Sequence, residues 1–144
     1  MNKMIYVWCI AILLVACKSA EKVVEGSGNQ NAIFSVAEPS NQQTVSYVAA
    51  NDRDPEVRKA AVEKSTNQQT ISSVASNDRD PEVRKAAVEK STNQQTISYV
   101  AVNDIAPAIR KLAVEKSTNQ QTISSVASND RDPEVKKAAL QRLK

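Results

Sequence analysis

Aspartate and arginine recur in fixed register along this chain. Asp52 and Arg58, Asp78 and Arg84, Asp104 and Arg110, and Asp130 and Lys136 are each six residues apart, and each set follows the last by 26. Opposite charges so spaced can form charge-assisted hydrogen bonds or together present a polar site to a ligand. Acid–base catalysis is harder to build here. The sequence has no histidine, so the commonest general base, the commonest metal ligand and the usual pH switch are all missing. Carboxylates alone would have to converge and perturb one another's pKa, whereas these acids repeat at regular intervals beside basic residues. The only glycines, Gly26 and Gly28, precede all of these motifs, which excludes a glycine-rich phosphate loop from the rest of the chain. No catalytic, cofactor-binding or metal-binding residue is expected, and the chain is expected not to be an enzyme.

The elements that must position these charges are set by an internal repeat. Pro55, Pro81, Pro107 and Pro133 are 26 residues apart, as are Asn41, Asn67, Asn93 and Asn119, each of which begins Asn-Gln-Gln-Thr. Four 26-residue units tile residues 39–144. In the unit 65–90, two helix signals stand in succession. Ser65 with Gln68, or Thr66 with Gln69, has the spacing of a capping box. Ile71, Val74 and Ala75 then mark one helical stripe, although the segment is short, β-branched and poor in intrinsic propensity. Asn77, Asp78 and Arg79 form the turn. The second helix is signalled by Asp80 as cap, Pro81 at the first position and Glu82 near the positive end of the dipole. Val83, Ala87 and Val88 face inward, and Lys90 closes the helix. Sustained alternation is absent, so strands are not expected.

Neither helix can bury its stripe alone. Stacked copies can, and the expected fold is all-α: an α-solenoid of four two-helix repeats, each touching only its neighbours. The whole chain of 144 residues has one Phe, one Trp and three Tyr, so the core must come from Ile, Val and Ala. Small side chains bury little area, at roughly 25 cal/mol per Å², and modest stability follows.

Residues 1–38 read differently. Lys3 is followed by an uncharged run over 4–16, too short to cross a bilayer core, which takes about 20 residues. The run ends in Leu14-Val15-Ala16-Cys17, which resembles a bacterial lipoprotein signal. The resemblance implies cleavage before Cys17 and lipid on its thiol; an ordinary signal peptide or a short anchor helix are the alternatives. Expected divisions are a signal over 1–16, a lipid-anchored polar linker over 17–30 containing Gly26-Ser27-Gly28, and a half-repeat cap over 31–38. In that cap Val36 lies in register with Val62, and Ile33 and Phe34 would cover the first unit. Cys9 would be discarded with the signal, leaving Cys17 as the one mature cysteine. The implied location is the cell envelope, with the membrane contacted through the Cys17 lipid. Lys18 where an Asp would retain the protein implies the outer membrane if the source has two membranes. Removing 1–16 takes away Lys3 and leaves 18 basic against 16 acidic residues, too even a balance to expect nucleic-acid binding.

Within the repeats, Asp78, Asp80-Pro81-Glu82-Val83-Arg84 and Ala87 resemble the short bacterial HEAT-like repeats of the chromophore-lyase (PBS-lyase) type. The pattern recurs at 52–58, 104–110 and 130–136. The unit is shorter than the family's, and the family's Leu late in the second helix is Ser65, Ser91 or Ser117, with Leu143 alone restoring it. A second resemblance is to leucine-rich variant repeats, which pair an α-helix with a 3₁₀ turn. The HEAT-like resemblance implies that Asp52, Arg58, Asp78, Arg84, Asp104, Arg110, Asp130 and Lys136 form a structural ladder between units, the alternative being a ligand site. The third unit changes Arg-Asp-Pro-Glu-Val to Ile105-Ala106-Pro107-Ala108-Ile109 yet keeps Asp104 and Arg110. The resemblance also implies a protein-interaction scaffold holding an unidentified protein. The other implied readings are an enzyme or enzyme accessory of the lyase type and a nucleic-acid-binding helical repeat. The family's di-iron chemistry uses His-Glu pairs and does not transfer.

Further features invite a partner. Val102, Ile105, Ala106, Ala108 and Leu112 give the third unit a candidate apolar patch. Arg58-Lys59, Arg84-Lys85, Arg110-Lys111 and Lys136-Lys137 make either a basic stripe for an acidic partner or ladder arginines beside solvated lysines. Tyr47 and Tyr99 alternate with Ser73 and Ser125, which suggests duplication of a two-unit block and assigns the constant Asn-Gln-Gln-Thr to recent copying. Leu140 and Leu143 are expected to enlarge the apolar contacts of a terminal cap.

Overall fold

The computed structural model describes residues 41–143. The expected signal, the linker with Cys17 and the half-repeat cap over 31–38 lie outside the described residues. Eight α-helices follow one another: α1 Gln42–Asn51, α2 Pro55–Lys64, α3 Gln68–Asn77, α4 Pro81–Lys90, α5 Gln94–Asn103, α6 Pro107–Lys116, α7 Gln120–Asn129 and α8 Pro133–Arg142. Among the described residues the fold is all-α and solenoidal. Each odd helix packs on the even helix that follows it, odd helices stack on odd, and even on even. No described helix is long and apolar enough to cross a membrane.

Ten-residue helices are marginal in isolation, because those shorter than about 12–15 residues rarely hold in water. Caps and packing hold these. At the start of α4 the Asp80 carboxylate accepts the N–H groups of Glu82 and Val83, and Pro81 fills the position whose N–H would be unpaired. At the start of α3 the cap is Asn67, whose Oδ1 accepts from Gln69 and Thr70. This corrects the expected capping boxes on Ser65 and Thr66. Ser65 instead ends α2: its N–H donates to the Ala61 and Val62 carbonyls, while its Oγ accepts the Asn67 N–H at 3.2 Å. Ser91 and Ser117 do the same, and all three are buried. A leucine there would have no acceptor for that N–H and no room, since Ser65 and Ser117 are fully buried.

The core is one continuous seam. Ile71, Val74 and Ala75 from α3 meet Val83, Ala87 and Val88 from α4, and the equivalent residues of the other repeats extend it. Even helices pack on one another more extensively than odd helices do, and least so between α4 and α6. Leu112 on α6 stands where the other repeats have Ala60, Ala86 or Ala138. It is partly buried against the core. Ala86 and Ala138, the alanines of the neighbouring repeats, are both buried, whereas Ala60, beside another alanine, is exposed.

Candidate functional site

The repeated charges meet along the edge where odd helices turn into even ones. Arg58 Nε and Nη2 donate to the two carboxylate oxygens of Asp78 at 2.7 and 2.8 Å. Arg84 grips Asp104 at 2.8 and 3.0 Å, and Arg110 grips Asp130 at 2.8 and 2.8 Å. Each arginine thus reaches the aspartate of the following repeat. Toward its own turn it uses Nη1, which donates to two backbone carbonyls; for Arg84 these are Asp78 at 2.9 Å and Arg79 at 3.3 Å. The six-residue spacing therefore joins arginine to the aspartate's carbonyl, and the carboxylate belongs to the arginine 20 residues earlier. Each of these carboxylates also accepts the N–H two residues on, which shapes the turn.

The ladder has three rungs among the described residues. Asp52 and Lys136 have no rung among the described residues. Ala32 occupies the place 20 residues before Asp52, and no described repeat follows Lys136. The rungs are buried, with the aspartate side chains at 6%, 4% and 4% exposure. Hydrogen bonding to aspartate pushes the pKa of Arg58, Arg84 and Arg110 upward, against the pull of burial. For Asp78, burial is the largest single influence and pulls the carboxyl upward. The Arg58 hydrogen bond, the Asp80 N–H and nearby cations outweigh it, and the group sits below its ordinary value. Asp130 is held below its ordinary value chiefly by the Arg110 hydrogen bond. These are buried, paired charges that join repeats.

Other polar residues that recur also join repeats, and sequence reasoning missed them. Gln42, Gln68 and Gln94 accept the N–H groups of Thr66, Thr92 and Thr118 at 2.8, 3.0 and 2.9 Å. With asparagine as the cap, this gives Asn-Gln-Gln-Thr a structural reason beyond copying. The recurrence of glutamine in phase, directly after each capping asparagine, was the signal available. Lys90 and Lys116 donate to the Glu63 and Glu89 carbonyls one repeat back. The arginines of the candidate basic stripe are engaged in the ladder; Lys85 and Lys137 are exposed and Lys59 and Lys111 half-buried.

The candidate apolar patch divides. Val102, Ile105 and Ala108 are exposed, Ile105 at 81%. Ala106 and Leu112 are half-buried against the core, which leaves three of the five residues fully at the surface. Leu140 and Leu143 are also exposed, so they do not enlarge the packing of the last described repeat. Ile105 and Tyr99 wall a groove of about 400 Å³ between repeats two and three, with Arg84 and Asp104 in its floor and Asn77 and Arg79 opposite. Arg84 is 9% exposed there, against 2% and 1% for Arg58 and Arg110 in the other rungs. No family model, curated protein or solved structure matches the chain.

Proposed function

We propose that the chain is a non-catalytic scaffold: a lipid-anchored, HEAT-like helical-repeat protein that holds a protein partner at the bacterial cell envelope. One observation carries this reading. The recurring Arg–Asp pairs and glutamines join repeats, while the junction of repeats two and three leaves Tyr99 and Ile105 exposed beside an open groove. An exposed apolar spot on an otherwise charged surface marks a partner site, and a stacked array offers an extended surface around it. The anchor is read from Leu14-Val15-Ala16-Cys17. Two or more lipid chains would make attachment stable, where one would not.

The test has two arms. Envelope fractions are compared for the full chain and Cys17→Ser; the variant is expected to leave the membrane fraction, and retention there removes the anchor. Crosslinked capture is then compared for the wild-type chain and Ile105→Arg with Ala108→Glu, which restores residues of the common repeat. Loss of the captured protein supports the site, and unchanged capture moves it elsewhere. A chain that captures nothing specific is better read as passively structural.

A further inference from the structure

The groove between repeats two and three is the empty place of an arginine. At the junction of repeats one and two, Arg79 lays Nη2 on the Arg53 carbonyl at 2.8 Å. At the junction of repeats three and four, Arg131 reaches the Ile105 carbonyl at 3.4 Å. Each of those carbonyls accepts a second donor, from Arg58 at 3.3 Å and Arg110 at 3.2 Å respectively. The equivalent carbonyl in the middle junction is that of Arg79, and the residue that should cover it is Ile105. It accepts from Arg84 alone, at 3.3 Å, although a carbonyl oxygen has two lone pairs. The missing guanidinium leaves the volume that Tyr99, Ile105 and Arg79 now line.

The same junction differs in a second way. On the odd helix that flanks it, Tyr99 replaces the serine found at Ser73 and Ser125 in the other two junctions. A half-exposed phenol ring beside an open carbonyl is a surface on which a guanidinium can stack while donating a hydrogen bond. Both changes fall at one place in the array, and both favour the same group.

We infer that this groove binds an arginine side chain presented by the partner, with the guanidinium donating to the Arg79 carbonyl and stacking on Tyr99. The molecule supplies a template for the hydrogen bond, because two of its junctions already set an arginine on the equivalent carbonyl. The inference rests on the reading of the array as a partner-holding scaffold and names the chemistry that the scaffold recognises.

Amide chemical shifts of Tyr99, Asn103 and Ile105 are followed in the isotope-labelled full chain in detergent. The probes are acetyl-Ala-Arg-Ala amide and the same peptide with citrulline, which keeps the shape and removes the charge. The arginine peptide is expected to shift these three residues in a saturable way, and the citrulline peptide to bind at least about ten-fold more weakly. Tyr99→Ser, the residue of the other junctions, is expected to weaken binding about three-fold. Ile105→Arg fills the place from within and should abolish it, while leaving helicity unchanged. Equal binding of the two peptides, undiminished binding by Ile105→Arg, or no shift at saturating peptide overturns the inference. Partner capture that survives Ile105→Arg alone, with no peptide binding, would sink the arginine site while leaving the scaffold standing.

Discussion

Arg110 is where a rung of the ladder can be weighed. It is 1% exposed, and the Asp130 side chain it holds is 4% exposed. Arg110→Met keeps much of the aliphatic stem and removes the guanidinium. The Asp130 carboxylate is then buried with the Asp132 N–H as its remaining donor, and the Asp104 and Ile105 carbonyls each lose one. Removing one partner of a buried ion pair costs about 3–5 kcal/mol, whereas exposed pairs contribute about 0–1 kcal/mol. Burial places this rung in the first class. Arg84→Met should cost less, on the order of 2 kcal/mol, because its rung borders the open groove and water can reach the stranded Asp104. Lys136→Met should stay within about 0.5 kcal/mol, since Lys136 has no ion-pair partner among the described residues. Urea unfolding of the full chain, followed by far-UV circular dichroism, reads all three. With a slope of about 1–3 kcal/mol per molar urea, Arg110→Met should lower the midpoint by at least about 1 M at unchanged slope. The reasoning fails if Arg110→Met unfolds with Lys136→Met, or if Arg84→Met is the costlier of the two arginine variants.

Three more outcomes follow from the same geometry. Ala106 is the one even-helix cap with no side-chain acceptor, so Ala106→Asp should raise stability by about 0.5–2 kcal/mol, read as a higher urea midpoint. Ser65→Leu, at a fully buried position, should destabilise by about 1–3 kcal/mol through overpacking and an unpaired Asn67 N–H; an unchanged melting temperature would count against the role given to the serine row. Asp78 and Asp130 have folded pKa values below their unfolded ones, so their contribution is complete above the unfolded value of about 3.9 and is lost as pH falls through the folded values. Thermal stability should therefore be flat from neutral pH down to mildly acidic pH and drop below pH of about 4, and the drop should shrink in Asp130→Asn.

The residues by themselves determined the repeat, the helix pairs and the inward stripe. Those signals act within one helix: Asp80 and Pro81 start α4, Val83, Ala87 and Val88 recur at helical spacing, and the structure places them accordingly. Caps and periodicity operate over a few residues, and 26-residue copying states each of them four times. The rungs are a different matter. Arg84 stands six residues after Asp78 and bonds its carbonyl, yet its ion pair is with Asp104, because the offset between successive repeats brings the next turn, and not its own, alongside the guanidinium. That offset is a property of stacking. It also decides that glutamine bridges repeats. Packing likewise places Leu112 partly against the core while Ile105 is exposed. Tertiary structure alone revealed the groove, since a missing arginine leaves a space only where its neighbours have already fixed the place it would fill.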